Sequence, residues 1–171
     1  MSGGPLPGLV GLSVLNLSDD VAGAYCAKLL ADAGATVTLV EPPEGHPLRR
    51  WSASGSVGRD GDEDGVLFRF LASSVQSAII DPAAAAAVDQ RNALLDASDV
   101  VIVSTLGDRS GGRSPTADPR ACAEGRPELV VVSLSAFGLG GPPPPRPIRT
   151  VGVDRAAASS HAAAFGLRRP R

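Results

Sequence analysis

Residues 9–41 read LVGLSVLNLSDDVAGAYCAKLLADAGATVTLVE, and this stretch decides the fold. Leu9 to Leu17 reads as a strand rich in Val and Leu, ended by the turn formers Ser18-Asp19-Asp20. From Ala22 to Ala33 the period changes. Cys26, Leu29, Leu30 and Ala33 fall at i, i+3, i+4 and i+7, one apolar face of a helix. Gly34 then stands where a helix C-terminus calls for positive φ. Thr36 to Glu41 is a second, β-branched strand stopped by Pro42-Pro43. A strand–helix–strand unit with a crossover of this length implies parallel strands.

Working outward, residues 42–65 are rich in Pro, Gly, Ser and charge and read as loop. Val66 to Leu71 and Val75 to Ile80 read as two short strands around Ala72-Ser73-Ser74. Asp81-Pro82 reads as a helix start, with Asp as N-cap, Pro in the first turn and an alanine run following. Ala84, Ala87, Val88 and Leu95 would share its buried face. Asp99 to Ser104 is almost purely aliphatic, as in a parallel strand covered on both sides. A short helix over Asp118 to Ala123 and a last strand over Glu128 to Ser135 complete the alternation. The pattern predicts an α/β fold, a Rossmann-like doubly wound parallel sheet. After Gly141 it stops: residues 142–171 bring a polyproline run, then Arg, Ala and Gly, read either as a disordered tail or as one helix over Ala156 to Phe165.

Composition sets the outer bounds. A chain of 171 residues suits one domain with a real core. Apolar residues at 43 % and charged residues at 20 % exclude wholesale disorder, and only 4 % aromatic content leaves the core to Ala, Val, Leu and Ile. A net charge of −2 gives no reason to expect a nucleic-acid partner. Residues 141–171 nevertheless carry a net +5 and the first 140 residues −7. The basic tail has no lysine and a single aromatic, Phe165, so it lacks the stacking platform of a nucleic-acid arm. Two cysteines, Cys26 and Cys122, make neither a disulfide framework nor a metal-binding spacing. No signal-like N-terminus or membrane-length apolar run is present, so the expected setting is cytoplasmic, with no membrane partner.

Candidate chemistry is sparse. Glu41 stands where dinucleotide-binding folds hold a ribose hydroxyl, but the turn from Ser18 to Gly23 offers one glycine and two acids where a pyrophosphate needs several glycines. The bland reading of Glu41 is a strand end at the surface. His46 lies in a Pro/Gly loop and His161 in the tail, neither at metal spacing from a carboxylate or cysteine. Ser18, Ser104 and Ser135 sit near strand ends without a nucleophile elbow, which favours capping or turn formation. Phe137 to Pro142 is a glycine turn that either admits a ligand to the backbone or merely reverses the chain.

Taken together, these residues resemble the family III CoA-transferases, which include formyl-CoA and carnitine CoA-transferases and α-methylacyl-CoA racemases. Residues 5–18, PLPGLVGLSVLNLS, resemble the family's opening, and residues 40–49, VEPPEGHPLR, its "VE-P-x-GDP-R". Residues 126–142, RPELVVVSLSAFGLGGP, are close to "P-LV-VSISGFG-x-GP". The resemblance runs over residues 5–142 with gaps. It implies CoA transfer between an acyl-CoA and a carboxylic acid through aspartyl intermediates, CoA as carried substrate, no tightly bound cofactor, no metal, and an interlaced homodimer.

By position, the family's CoA contacts fall on Asp20, Val21 and Ala22; on Pro42; on Leu71, Ala72, Ser73 and Ser74; on Ser104 and Thr105; and on Ser135, Ala136, Phe137 and Gly138. Two departures weaken that site. Residues 72–77 replace the family's "N-x-x-K-R-S" and lose its cations, and Ser104-Thr105-Leu106-Gly107 replaces "E-N-F-x-P-G". Gly152-Val153-Asp154 resembles the racemases' "G-H-D" without its histidine, leaving Asp154 a non-catalytic echo and no catalytic residue to assign. On this reading residues 1–141 are the N-terminal part of the large domain and 142–171 a divergent tail. The fold is incomplete, and the family's aspartate lies beyond the chain. The competing readings are a stand-alone CoA- or nucleotide-binding module and an NAD- or FAD-binding fragment.

Overall fold

Alternation within the short aliphatic runs sends successive side chains to opposite sides of one sheet. In the computed structural model, which describes residues 7–51, 64–104, 118–135 and the backbone of 165–166, the strands are β1 (Ser13–Asn16), β2 (Thr36–Glu41), β3 (Val75–Ile79), β4 (Val100–Ser104), β5 (Val130–Leu134) and β6 (Phe165–Gly166). Their order is β3-β2-β1-β4-β5-β6. The first five are mutually parallel, and the two-residue β6 runs antiparallel to β5. Val14 lies opposite Val37 on one side and Val100 on the other. The chain thus leaves β1 in one direction and returns at β4 to build the other, the doubly wound order predicted.

Helices α1 (Val21–Asp32), α2 (Val66–Leu71), α3 (Ala87–Asp96) and α4 (Pro119–Ala123) cover the two faces. Val14, Val37, Val100, Ile102 and Leu134 pack with Ala27 and Ala31 of α1. Leu15, Val101, Val103 and Val131 pack with Leu95 of α3 and Cys122 of α4 on the opposite face. A third cluster joins Ala24, Leu39, Leu48, Phe68 and Leu71, seating α2 over β2. All five residues of β4 are buried, as its composition predicts. Gly34 has φ +104°, β2 has the predicted limits, and Asp118 caps α4 through the Arg120 amide at 3.0 Å.

Four local expectations are corrected. The first strand does not begin at Leu9: a 3-10 turn covers Pro7–Leu9 and Gly11 adopts φ +88°, which delays β1 to Ser13. The buried side of α1 is Gly23, Ala24, Ala27 and Ala31, while Leu29 is 53 % exposed. Small residues at i, i+4 and i+8 let the helix approach the sheet; of the predicted face, Cys26 and Leu30 are half-buried and pack against the core, and Leu29 turns outward.

Val66 to Leu71 is a helix, because Phe68 and Leu71, three apart, both reach the core; a six-residue apolar run does not distinguish the two states by itself. Finally, Asp81 caps a turn. Its Oδ1 accepts from the Ala83 amide at 2.8 Å, Ala84 N–H donates to the Asp81 carbonyl and Ala87 N–H to that of Ala84, and α3 starts at Ala87. Residues 81–86 are all exposed, so the alanine run has no apolar contact to hold it as helix. Val88 is 57 % exposed, and Leu95 alone of the four predicted face residues is buried.

Candidate functional site

The strand order reverses between β1 and β4, where α1 leaves one face and α4 covers the other, and the crevice of such a sheet lies outside the carboxyl ends of its strands. Asn16, Ser18, Asp20 and Ser104 meet there, each no more than 8 % exposed. Asn16 Oδ1 accepts from the Ser18 amide at 3.0 Å and from the Ser18 hydroxyl at 2.6 Å. Asp20 Oδ1 caps α1 by accepting from the Gly23 amide at 2.9 Å, and Asp20 Oδ2 accepts from Ser104 Oγ. Asp20 therefore ties β1 to β4 and fills the helix N-terminus where a phosphate would otherwise sit. Gly23 has no room for a side chain: a Cβ there would lie 1.8 Å from Ser18 Oγ.

Glu41 at the end of β2 is 3 % exposed, so it does not end a strand at the surface. Arg49 grips it with two hydrogen bonds, Nη2 to Oε1 at 2.7 Å and Nε to Oε2 at 2.8 Å. The His46 amide donates to Oε2 at 2.9 Å and Ser77 Oγ to Oε1. Through Nη1, Arg49 also holds both oxygens of Asp64, at 2.8 and 2.7 Å, and it stacks over Phe68 at 4.3 Å. Arg49's hydrogen bonds, against the opposing effect of burial, hold the Glu41 carboxyl down at about 2. Its oxygens are fully engaged, which removes Glu41 as a ribose ligand.

A folded-state value below the ordinary 4.5 means stability that is complete above 4.5 and lost as pH falls through about 2. Across that window the unfolding free energy measured by urea titration is expected to fall with a slope approaching about 1.4 kcal/mol per pH unit from this one group. Glu41→Gln, titrated alongside, should flatten that component; an unchanged slope would count against the pairing.

Of the expected CoA contacts, Asp20, Val21, Ala22, Pro42, Ser104 and Ser135 gather along the carboxyl edge of the sheet. Leu71 to Ser74 do not. They run from the end of α2 into the start of β3, at the amino edge, one strand length of roughly 15 Å away. Leu71 is 3 % exposed, inside the core. Thr105, Ala136, Phe137, Gly138, Asp154 and His161 lie outside the described residues. A cation does reach the amino-edge segment from another element: Lys28 Nζ of α1 stands 3.3 Å from Ser73 Oγ, paired with Asp32 at 3.0 Å and over Phe70. At the end of β5 the Ser133 and Ser135 hydroxyls are buried without a hydrogen-bond partner among the described residues. A cavity of about 330 Å³ between α2 and β3 is lined by Arg49, Arg69, Gln76 and Ser77 over Leu39 and Phe68.

Ser18 is not set up as a nucleophile: His46 meets its carbonyl, not its hydroxyl. Among the described residues no cluster of three or more His, Cys, Asp or Glu could hold a metal, and no helix is long and apolar enough to cross a membrane. The roles of Arg49, Asp64 and Ser77 escape sequence reasoning, because partners drawn from separate elements leave no local period. The one available hint is an acid ending a strand with an arginine eight residues on in the following loop.

The fold is similar to that of a CaiB/BaiF family protein, and residues 9–164 match the CoA-transferase family III. The chain belongs to that family. The match passes Gly141 and ends beside β6. The chain is 29 % identical over 141 residues to the succinate–glutarate CoA-transferase of Agrobacterium fabrum, covering 80 % of this chain and 34 % of that protein. A CaiB/BaiF family protein from Brucella suis superposes with a TM-score of 0.57 at 29 % identity, covering 78 % of this chain and 34 % of the other. A hypothetical protein from Mycobacterium tuberculosis superposes with a TM-score of 0.66 at 25 % identity, covering 96 % and 46 %. The chain spans about a third or less of the length of the curated relatives it matches.

Proposed function

We propose that this chain is the CoA-binding α/β portion of a CoA-transferase that moves CoA between an acyl-CoA and a free carboxylic acid. The family match over residues 9–164 carries the reading. In it, the acyl-CoA is seated along the carboxyl edge between β1 and β4, with the exposed start of α1 at Ala22, Pro42 and the buried Ser135 hydroxyl as contacts. That hydroxyl, without a partner among the described residues, is suited to a polar atom of the ligand. Leu71 contributes packing, and Ser73 and Ser74 would meet only a part of the ligand that reaches the amino edge. The residues at 105 and 136–138 and the interlaced homodimer belong to the same proposal.

The chemistry of the described residues is that of binding. Asp20 and Glu41, the carboxylates buried at this edge, both have their oxygens engaged, so neither is free to attack a thioester. A dinucleotide reading is disfavoured because Arg49 occupies Glu41, the carboxylate that would hold the ribose of such a cofactor. Isothermal titration calorimetry of the full chain with CoA is expected to show saturable one-to-one binding in the micromolar range, with NAD giving none. Absence of saturable CoA heat, or tighter binding of NAD, would overturn the proposal.

A further inference from the structure

One imidazole stands between the loop after β1 and the loop after β2. His46 is 2 % exposed, its ring tilted against Phe68 of α2 with centroids 5.6 Å apart. Its Nε2 lies 3.1 Å from the Ser18 carbonyl oxygen, and its Nδ1 lies 3.2 Å from the Leu48 amide nitrogen. A carbonyl can only accept and an amide N–H can only donate, so this seat selects the neutral ring protonated at Nε2. The backbone of His46 is held too, by donation to Glu41. The ring therefore fastens Ser18, two residues before Asp20, to the network that closes β2.

We propose that neutral His46 is the positioning residue of the crevice, holding the Ser18–Asp20 loop in register with the loop after β2, and that its protonation releases that loop and weakens ligand binding. The inference rests on the reading that CoA occupies this edge. On protonation, Nδ1 changes from acceptor to donor and faces the Leu48 N–H, so the turn Pro47–Arg50 loses its cap and the ring loses its seat. The charged groups around the ring are Asp19 after β1, Glu41 on β2 and Arg49 in the turn. Burial disfavours the cation most, Arg49 adds to that, and the Ser18 carbonyl, Asp19 and Glu41 oppose it; the net effect is a value below the ordinary 6.5. Because the fold favours the neutral form, the effect is absent above 6.5 and develops as pH falls from there through the folded-state value.

The test is CoA calorimetry on the full chain between pH 8 and pH 5, for wild type, His46→Gln and His46→Ala, with ¹⁵N NMR of the imidazole and of the Ser18 and Asp20 amides on the wild type. Glutamine places an amide donor near the Nε2 position without a titrating group. Wild-type affinity is expected to weaken about tenfold as pH falls through the ring's own titration, which the imidazole NMR locates. His46→Gln should match wild type within about threefold at pH 8 and change little further, and His46→Ala should bind weakly throughout. Any titration of the ligand's own phosphates appears equally in the glutamine variant, so the difference between the two isolates the ring. A wild-type profile that parallels the glutamine variant, or an alanine variant that binds like wild type, would overturn the proposal. If CoA binds at no pH, the functional reading falls, and NMR judges His46 alone. An Nδ1–H tautomer at pH 7, or Ser18 and Asp20 amides that ignore the ring's titration, would then refute its positioning role.

Discussion

Arg49→Ala is expected to lower the unfolding free energy at pH 7 by about 3–5 kcal/mol, because it strands the Glu41 carboxylate in the interior without its cation. Arg49 makes two hydrogen bonds to Glu41 and two to Asp64, and it covers the ring of Phe68. The remaining donors to Glu41, the His46 amide and the Ser77 hydroxyl, carry no charge. Urea titration of Arg49→Ala, Glu41→Gln and the double variant measures the coupling directly. The double variant should recover part of the loss, since a neutral amide is easier to leave buried than a carboxylate. A loss below about 1 kcal/mol in Arg49→Ala would place this pair among ordinary surface ion pairs and refute its structural importance.

The second large effect is expected at Gly23. In an exposed helix, replacing glycine with alanine gains up to about 1 kcal/mol. Here the new methyl group would lie 1.8 Å from Ser18 Oγ and 2.2 Å from Ser18 Cβ. Rotating the hydroxyl away leaves the Cβ overlap, and Ser18 is held in place by Asn16 and by His46. Gly23→Ala is therefore expected to destabilise by about 3 kcal/mol, because either α1 or the loop after β1 must shift. Gly8→Ala is the control: nothing lies within 4 Å of its added Cβ, and its change should stay within about 0.5 kcal/mol. Thermal melting of the two variants side by side decides the matter, and equal melting temperatures would refute the close contact.

The parallel sheet is legible in the sequence because β2, β4 and β5 are aliphatic runs too short for helices and bounded by Pro, Gly or Asp. The packing face of α1 is legible only in part. Apolar spacing finds Cys26 and Leu30, which flank the core, but it also points to Leu29, which lies outward, and closest contact with a flat sheet selects Gly23, Ala27 and Ala31, residues whose burial leaves no hydrophobic signature. α2 fails for a related reason: Phe68 and Leu71 satisfy a helix, while the whole run satisfies a strand, and only the pocket formed by Leu39 and Leu48 decides between them. At the site, Asp20 and Ser104 are recognisable by position, but their bond to each other is not. It joins residues 84 apart in sequence, and no local pattern encodes such a pair.

That separation also orders events in time. The unit from β1 to β3 can pair its strands from nearby chain, but the Asp20–Ser104 tie closes a loop of 84 residues and has to wait for β4. At ordinary translation rates Ser104 leaves the ribosome on the order of ten seconds after Asp20. During that interval the nascent chain holds one wall of the crevice without the other, with Val14 and Leu15 open along the edge that β4 later covers. If the crevice binds CoA as proposed, that binding reports that the two halves of the sheet have joined, and it becomes available only late in the life of the growing polypeptide.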